Sequence, residues 1–497
     1  MNSSFIAVMP ILSALATAIA LLMSWAWTSA QRVLHVIGAL LFLVSTIMVL
    51  VAVNQHGFLV VQIGNYQAPF GISIVIDRLS GVMLALTGVI SFSVALYALA
   101  DINDKRQAYG FFPMFWILVT GISGAFSTGD MFNLYVWFEV MLIASFVLMA
   151  LGNRKIQLTG TIKYVVLNLL ATVLMLVSIA LLYGLTGTLN MADMAQHIKQ
   201  LPVHQVVQSA VLLLALAFAI KSALFPLFFW LPASYHTTSV SASAIFAGML
   251  TKVGVYALLR LFTLIYIPGK YGVSMSVLLV CAGFTMLTGV LGAAAQFNFR
   301  RVLSFHIISQ VGYMAAGLAI YKPYAMVATV FYIVHHVVVK TNLFLISGIA
   351  KRYCGSFNLK ESGGLYRYRP GLTILFAISA FSLAGLPPLS GFWAKLLVVQ
   401  SAWQSHHMVI LFVALLVGLL TLFSMLKIWN LAFWCDTDLS NLKTISRAKS
   451  IGLYVPVILL ASITLVFSFY PYSLYSQASA ISDQLSHPQY YINAVLK

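Results

Sequence analysis

The chain has 497 residues, of which 61% are hydrophobic and only 7% charged, with a mean hydropathy of +0.98. This excludes a water-facing globular fold, in which roughly 25% of residues carry charge, and makes the bilayer the chain's solvent. The formal net charge of +17 suits anionic lipid or nucleic acid, and the positions of the charges decide between the two.

Apolar stretches near or above the span length of about 20 residues recur along the chain. Fourteen helices are expected, at 5 to 27, 33 to 53, 76 to 100, 110 to 128, 131 to 151, 161 to 184, 207 to 231, 240 to 266, 273 to 295, 301 to 320, 325 to 348, 374 to 403, 407 to 431 and 451 to 472. The fold class is all-α integral membrane, with no stretch long enough for a soluble domain. The first stretch lacks a basic region before it, and Trp25-Ala-Trp27 followed by Ser-Ala-Gln-Arg32 reads as a helix end at an interface, so a retained span is expected.

Numbering the loops separates the basic residues by parity. Arg32, Lys105, Arg106, Arg154, Lys155, Lys163, Arg300, Arg301, Lys351, Arg352, Lys360, Arg367, Arg369, Lys443, Arg447 and Lys449 all fall in odd loops. Even loops hold little more than Lys199, Lys270 and Lys322, with Arg78 at a span edge. The positive-inside rule makes the odd loops cytoplasmic and puts both termini outside. The net charge then reads as orientation signal and anionic-lipid contact, with no nucleic-acid partner.

Ionisable groups far from a span end cost about 2.5 to 3.5 kcal/mol or more at the bilayer centre. Glu139, one of two glutamates in the chain, lies mid-span in Phe132-Asn-Leu-Tyr-Val-Trp-Phe-Glu139-Val-Met. The bland alternative is a carboxylate paired for packing, but a buried pair is weak evidence of stability. Lys221 precedes Pro226 by five residues. A proline inside a span frees backbone carbonyls, which lipid tolerates only where protein or water satisfies them, so a broken helix and a hydrated cavity are expected there. Lys252 lies too centrally in the eighth span to reach an interface by snorkelling.

In the eleventh span His336 and Lys340, four residues apart, share one helical face, and His335 points roughly one hundred degrees away. His306, near the start of the tenth span, is a candidate extension of the same file, and His335 is a further candidate. Lys395 follows a second expected break at Pro387, Pro388 and Gly391. No metal site is expected, because no carboxylate or cysteine in the eleventh span completes a ligand set around the two histidines. Cys281, Cys354 and Cys435 are far apart and lack metal or iron–sulfur spacing, so no cofactor is expected either.

Two Pro-broken helices, each with a lysine, fall in corresponding places of two five-helix halves, 110 to 266 and 273 to 431. Halves with an odd number of spans are inverted relative to each other. Residues 1 to 109 form an N-terminal three-helix segment, and 432 to 497 a loop, last helix and tail. Burial in a dry site disfavours the charged form of a lysine and a nearby carboxylate favours it, so moving one partner shifts a proton. The chemistry expected of Glu139, Lys221, Lys252, His336, Lys340 and Lys395 is a proton relay, with waters between them.

At these residues the chain resembles the proton-translocating, antiporter-like membrane subunits shared by respiratory complex I and the multisubunit Mrp-type cation/proton antiporters. The motifs that carry the resemblance are Lys221-Ser-Ala-x-x-Pro-Leu-x-x-Trp-Leu, Arg301-Val-Leu-Ser-Phe-x-x-x-Ser-Gln-Val-Gly-Tyr-Met, His336-x-x-x-Lys340-x-x-Leu-Phe and Leu386-Pro-Pro-Leu-Ser-Gly-Phe-x-x-Lys395. They cover most of residues 70 to 430. The resemblance implies fourteen helices with two inverted repeats, Glu139 paired with Lys221, Lys252 as a connecting lysine and Lys395 near an exit. It also implies partners: other membrane subunits, lipids, protons and sodium ions taken directly or through those subunits.

The segment around Glu139, together with a lysine at 395 rather than a glutamate, looks like the D-type branch of the Mrp subunits. One alternative is an M-like proton-pumping subunit of an NADH:quinone oxidoreductase or a related hydrogenase. Another is a non-conducting scaffold, in which replacing the buried lysines by methionine leaves transport intact. A self-contained secondary transporter is disfavoured, because no sodium-coordinating carboxylate cluster is evident.

Overall fold

A computed structural model of the chain describes residues 3–201, 205–268, 275–435 and 442–496. Lys270 and the first two residues of the ninth expected span lie outside the described residues. The N-terminal part contains α1 (Ser3–Met23), α2 (Thr28–His56), a hairpin of β1 (Leu59–Gln62) and β2 (Ser73–Ile76), α3 (Arg78–Asp101) and the short α4 (Asp104–Ala108). The hairpin pairs Leu59 with Ile76 and Gln62 with Ser73 and departs from the all-helical expectation. Val60, Val61, Ile74, Val75 and Ile76 are β-branched and suit the extended pleat.

The middle of the chain forms α5 (Phe111–Ser127), α6 (Met131–Ala150), α7 (Lys155–Thr186), α8 (Met191–Gln200), α9 (Gln205–Ser222) and α10 (Trp230–Ser234). A long interior helix follows, made of α11 (Val240–Ile245), a π turn (Phe246–Leu250), α12 (Thr251–Arg260) and a second π turn (Leu261–Ile265). Then come α13 (Met275–Ala295), α14 (Phe299–Ile320), α15 (Pro323–Cys354), the short α16 (Leu365–Tyr368), α17 (Pro370–Ala384), α18 (Ser390–Gln404) and α19 (Met408–Ile428), which runs into a π turn (Trp429–Trp434). The chain closes with α20 (Arg447–Phe469), α21 (Pro471–Ser486) and α22 (Pro488–Leu496).

Every expected span coincides with a helix or a helix pair. Twelve described helices are long and apolar enough to cross a membrane; the other two expected spans are α5, at 17 residues, and the pair α17 and α18, at 15 residues each. The expected C-terminal tail is itself helical. Leu474, Ala478, Ile481 and Leu485 make one buried face of α21 that packs on α15, and α22 packs on α8.

Burial is uneven and follows polarity. α15 and the Val240–Ile265 helix are buried along the whole of their apolar stretch and α14 along 94% of it, whereas α7 is buried along 39% and α20 along 33%. The three innermost helices carry Lys252, His306, His335, His336 and Lys340, groups that lipid cannot solvate. Two short bridges join pairs of loops, the second of them between the start of α14 and the segment after α15. Asp130 bridges Asn190, flanked by Met131 N to Leu189 O at 2.9 Å and Met191 N to Gly129 O at 2.8 Å. Asn298 bridges Asn358 in the same pattern, with Phe299 N to Phe357 O and Leu359 N to Phe297 O both at 2.8 Å.

Candidate functional site

The helix carrying Lys221 is interrupted where the sequence predicts it. α9 ends at Ser222, Ala223 takes a left-handed φ of 60°, and the chain stays irregular past Pro226 until α10 begins at Trp230. The indole N–H of Trp230 donates to the freed carbonyl of Ile220 at 3.0 Å, and the Phe225 N–H donates to the Thr285 hydroxyl at 2.9 Å. The tryptophan of the Lys-Ser-Ala-x-x-Pro-Leu-x-x-Trp motif thus satisfies a backbone group that the proline-containing break exposes.

Glu139 on α6 and Lys221 form no direct ion pair among the described residues. Thr172 on α7 stands between them: its hydroxyl donates to Glu139 Oε1 at 2.8 Å and accepts from Lys221 Nζ at 3.2 Å. Lys221 Nζ also lies 4.7 Å from the centre of the Phe138 ring. A hydroxyl carries one donor and two acceptor lone pairs, so it can hand a proton on between an ammonium and a carboxylate. Sequence reasoning missed Thr172; its signal was Asn168 and Thr172 four residues apart within an apolar span.

Lys252 is fully buried on α12, and its Nζ donates to Ala247 O at 2.6 Å, inside the π turn of its own helix. Two glycines let neighbours close around it. A Cβ on Gly248 would collide with the Thr341 hydroxyl on α15, and one on Gly254 would lie 2.5 Å from Ser222 Oγ and 2.8 Å from Ser222 N, at the break that follows Lys221. Gly254→Ala is therefore expected to push α9 off α12 at a cost of about 1–3 kcal/mol. Thermal inactivation of the detergent-solubilised protein checks this, and an unchanged midpoint would contradict it.

His306, His336 and Lys340 are fully buried, and neither ring nitrogen of either histidine, nor Lys340 Nζ, has a protein hydrogen-bond partner. The electrostatic neighbours of His336 are Lys252, Lys340, His335 and His306. Those of His306 are Lys340, Lys395 and Lys427. His335 faces elsewhere, with its Nδ1 2.9 Å from Ser390 Oγ at the start of α18, where Ser382 and Ser468 tie the second helix break together. That break contains Pro387 and Pro388, between α17 and α18. Lys395 Nζ reaches back across it to Ala384 O at 2.7 Å and lies 5.6 Å from the centre of the Tyr313 ring, which stacks on Tyr332.

The expected site residues thus form two groups. Glu139 and Lys221 lie on one side, joined by Thr172; Lys252, His306, His336, Lys340 and Lys395 lie in or beside the three innermost helices, with His335 on the second break. Two further cation sites carry no sequence expectation. Arg260 extends the face of Lys252 and Tyr256 at eight and four residues' spacing, and it pairs with Asp77, the N-cap of α3. Lys427 on α19 donates to Ala294 O at 2.6 Å and Gln296 O at 2.7 Å at the end of α13. Among the described residues, no group of three or more histidine, cysteine or acidic side chains is placed to hold a metal ion.

Residues 128–421 match the family described as NADH:quinone oxidoreductase/Mrp antiporter, TM. The chain is 43% identical over 469 residues to the D subunit of a Na(+)/H(+) antiporter of Alkalihalophilus pseudofirmus, covering 94% of each chain. It is 34% identical over 490 residues to the D subunit of a Na(+)/H(+) antiporter of Bacillus subtilis, covering 99% of each. Among solved structures, it superposes with a TM-score of 0.91 and 29% identity on a chain of the Mrp complex from Dietzia sp., covering 100% of this chain and 99% of that one. A chain of an archaeal membrane-bound sulfane sulfur reductase gives the same TM-score at 24% identity and 99% coverage of both chains, a likeness of fold alone.

Proposed function

The chain belongs to the NADH:quinone oxidoreductase/Mrp antiporter membrane-subunit family, and from that premise we propose that it is the proton-conducting D-type subunit of a multisubunit Na+(monovalent cation)/H+ antiporter. The observation that carries this reading is the Lys221–Thr172–Glu139 bridge set at a helix break. An ammonium, a hydroxyl and a carboxylate in hydrogen-bond contact are a ready relay, and the break supplies polar backbone beside it.

The relay continues through Lys252 to His336 and Lys340, then by His306 toward Lys395. Five buried nitrogen atoms on His306, His336 and Lys340 lack protein partners, and leaving each unsatisfied costs about 1–3 kcal/mol. Ordered waters between them remove that cost and complete the file. His335, held by Ser390, positions the second break rather than carrying protons.

Residues 110–266 and 273–431 act as two inverted repeats, between the N-terminal segment 1–109 and the C-terminal segment 432–497. Three correspondences support this division. Each half has a helix break beside a lysine; each has a reciprocal bridge between loops, Asp130 with Asn190 and Asn298 with Asn358; and each ends in a π turn, Leu261–Ile265 and Trp429–Trp434. The first bridge joins even loops and the second joins odd loops, as inversion requires. With the odd loops cytoplasmic, both termini lie on the outer side of the bacterial inner membrane. Sodium crosses here or in partner membrane subunits of the assembly.

The test is sodium-driven proton exchange in everted vesicles carrying the complete complex. Thr172→Val keeps the shape and removes the hydroxyl. A hydrogen bond to a charged group contributes about 1.5–3 kcal/mol, so exchange is expected to fall by about tenfold or more, at 1.4 kcal/mol per factor of ten. Undiminished exchange in the assembled variant would remove Thr172 and its bridge from the path.

A further inference from the structure

The face where the odd loops gather holds a cavity of about 560 Å3 that the proposed file does not use. Its walls come from α4, the turn between α6 and α7, the turn between α10 and α11, the start of α14, the end of α15 and the segment before α20. Seven lysine and arginine side chains line it against one carboxylate, Asp101. That carboxylate is already engaged: it accepts from the Ser241 backbone N–H at 3.1 Å and the Ser241 hydroxyl at 2.9 Å, and it pairs with Arg352 at 3.2 Å.

Orientation signals do not require such convergence, because loop cations lower their energy by spreading into water and away from one another. Arg300 has instead been drawn inside. It is 6% exposed, its Nη1 donates to Thr238 O at 2.6 Å and to the Ser243 hydroxyl at 3.3 Å, and its guanidinium lies 4.0 Å from the centre of the Phe357 ring. Its Nε has no protein partner. On the loop helix α4, burial pushes the Arg106 guanidinium down from its ordinary value; Asp101 opposes that shift and Arg154 adds to it. The cations are crowded beyond what one carboxylate offsets.

We infer that this cavity is a binding site for a phosphate-bearing anion, and that its occupant is the headgroup of an anionic phospholipid. Arginine forks match phosphate oxygens in pairs, and the volume falls within the range of about 300–1,000 Å3 typical of ligand pockets. The assignment to lipid rests on α7, which starts at the cavity rim and exposes Ile156, Ile162 and Val166 along its length, each 60% or more. That apolar flank puts the cavity rim beside the bilayer, where the acyl chains of a lipid whose headgroup sits in the cavity lie along α7. Arg300 and Asp101 also hold the start of α11 from two sides, through Thr238, Ser243 and Ser241. Occupancy is thereby coupled to the helix that carries Lys252.

The intact complex, stripped of lipid in detergent, is offered phosphatidylglycerol in phosphatidylcholine vesicles, phosphatidylcholine vesicles alone, or inorganic pyrophosphate, and bound ligand is read by native mass spectrometry. Arg154→Gln with Lys443→Gln removes two lining cations on surface segments and keeps Arg300 in place. Phosphatidylglycerol retained by the parent complex and lost about tenfold or more in this variant is the expected result, at about 1 kcal/mol per cation. Variant-sensitive binding of pyrophosphate but not of phosphatidylglycerol would keep the phosphate site and overturn the lipid. Equal retention by parent and variant, or no binding of either probe, would overturn the site.

Discussion

Lys221→Ala is expected to abolish sodium-driven proton exchange, by a hundredfold or more, while the complex still assembles. General acid–base groups typically contribute about 10²–10⁴-fold, and no neighbouring ammonium can replace this one at Thr172. Lys252, the next lysine of the proposed file, lies on α12 and is held there by Ala247 O of its own helix. The structural loss is smaller, since Trp230 and Thr285 secure the break without the lysine. Lys221→Arg is expected to be nearly as inactive, because a guanidinium keeps its proton throughout the physiological range. The measurements are vesicle exchange and size-exclusion profiles on the same preparations. A Lys221→Met complex with intact exchange would favour a scaffold that conducts nothing, since replacing a buried charge by an apolar residue is often neutral or stabilising.

The second large effect is on stability. Asp77 and Arg260 form a buried ion pair at the end of the helix that carries Lys252, 3% and 5% exposed at their side chains. Arg260 also donates to Ser80 Oγ at 3.0 Å and Tyr256 OH at 3.1 Å, and its guanidinium lies 5.4 Å from the centre of the Tyr491 ring on α22. The pair therefore ties together α3, α12 and the C-terminal helix. Asp77→Ala leaves an arginine charge buried without its partner, a loss of about 3–5 kcal/mol. The expected result is rapid thermal inactivation and early proteolysis after α20. Combining Asp77→Ala with Arg260→Met is expected to recover most of the loss, because both charges are then gone. A double variant as unstable as the single one would mean that the arginine's other contacts, not its charge, hold the joint.

Much of the site was legible in the sequence because lipid makes burial readable. A charged residue in the middle of an apolar run has no route to water, so Glu139, Lys221, Lys252 and Lys340 stand out before any contact is known. The breaks at Pro226 and at Pro387 and Pro388 were equally plain, since proline lacks the N–H a helix needs. The one-face argument separated His335 from His336 and Lys340, and His335 indeed turns toward Ser390. Thr172, Asp77 and Arg260 were not singled out: a threonine in a span costs little, and Asp77 and Arg260 lie near span ends, where charges are ordinary.

Local hydrophobicity and backbone chemistry made the solvent, the approximate spans, the two breaks and the costly mid-span charges readable along the chain. Which residues meet is a matter of how the helices pack. That packing put Thr172 between Glu139 and Lys221, brought Gly254 against Ser222, closed Asp77 on Arg260 across 183 residues, and gathered six odd loops around one basic cavity. Such partners are chosen by helix packing, and packing joins faces whose distance along the chain carries no periodic signal.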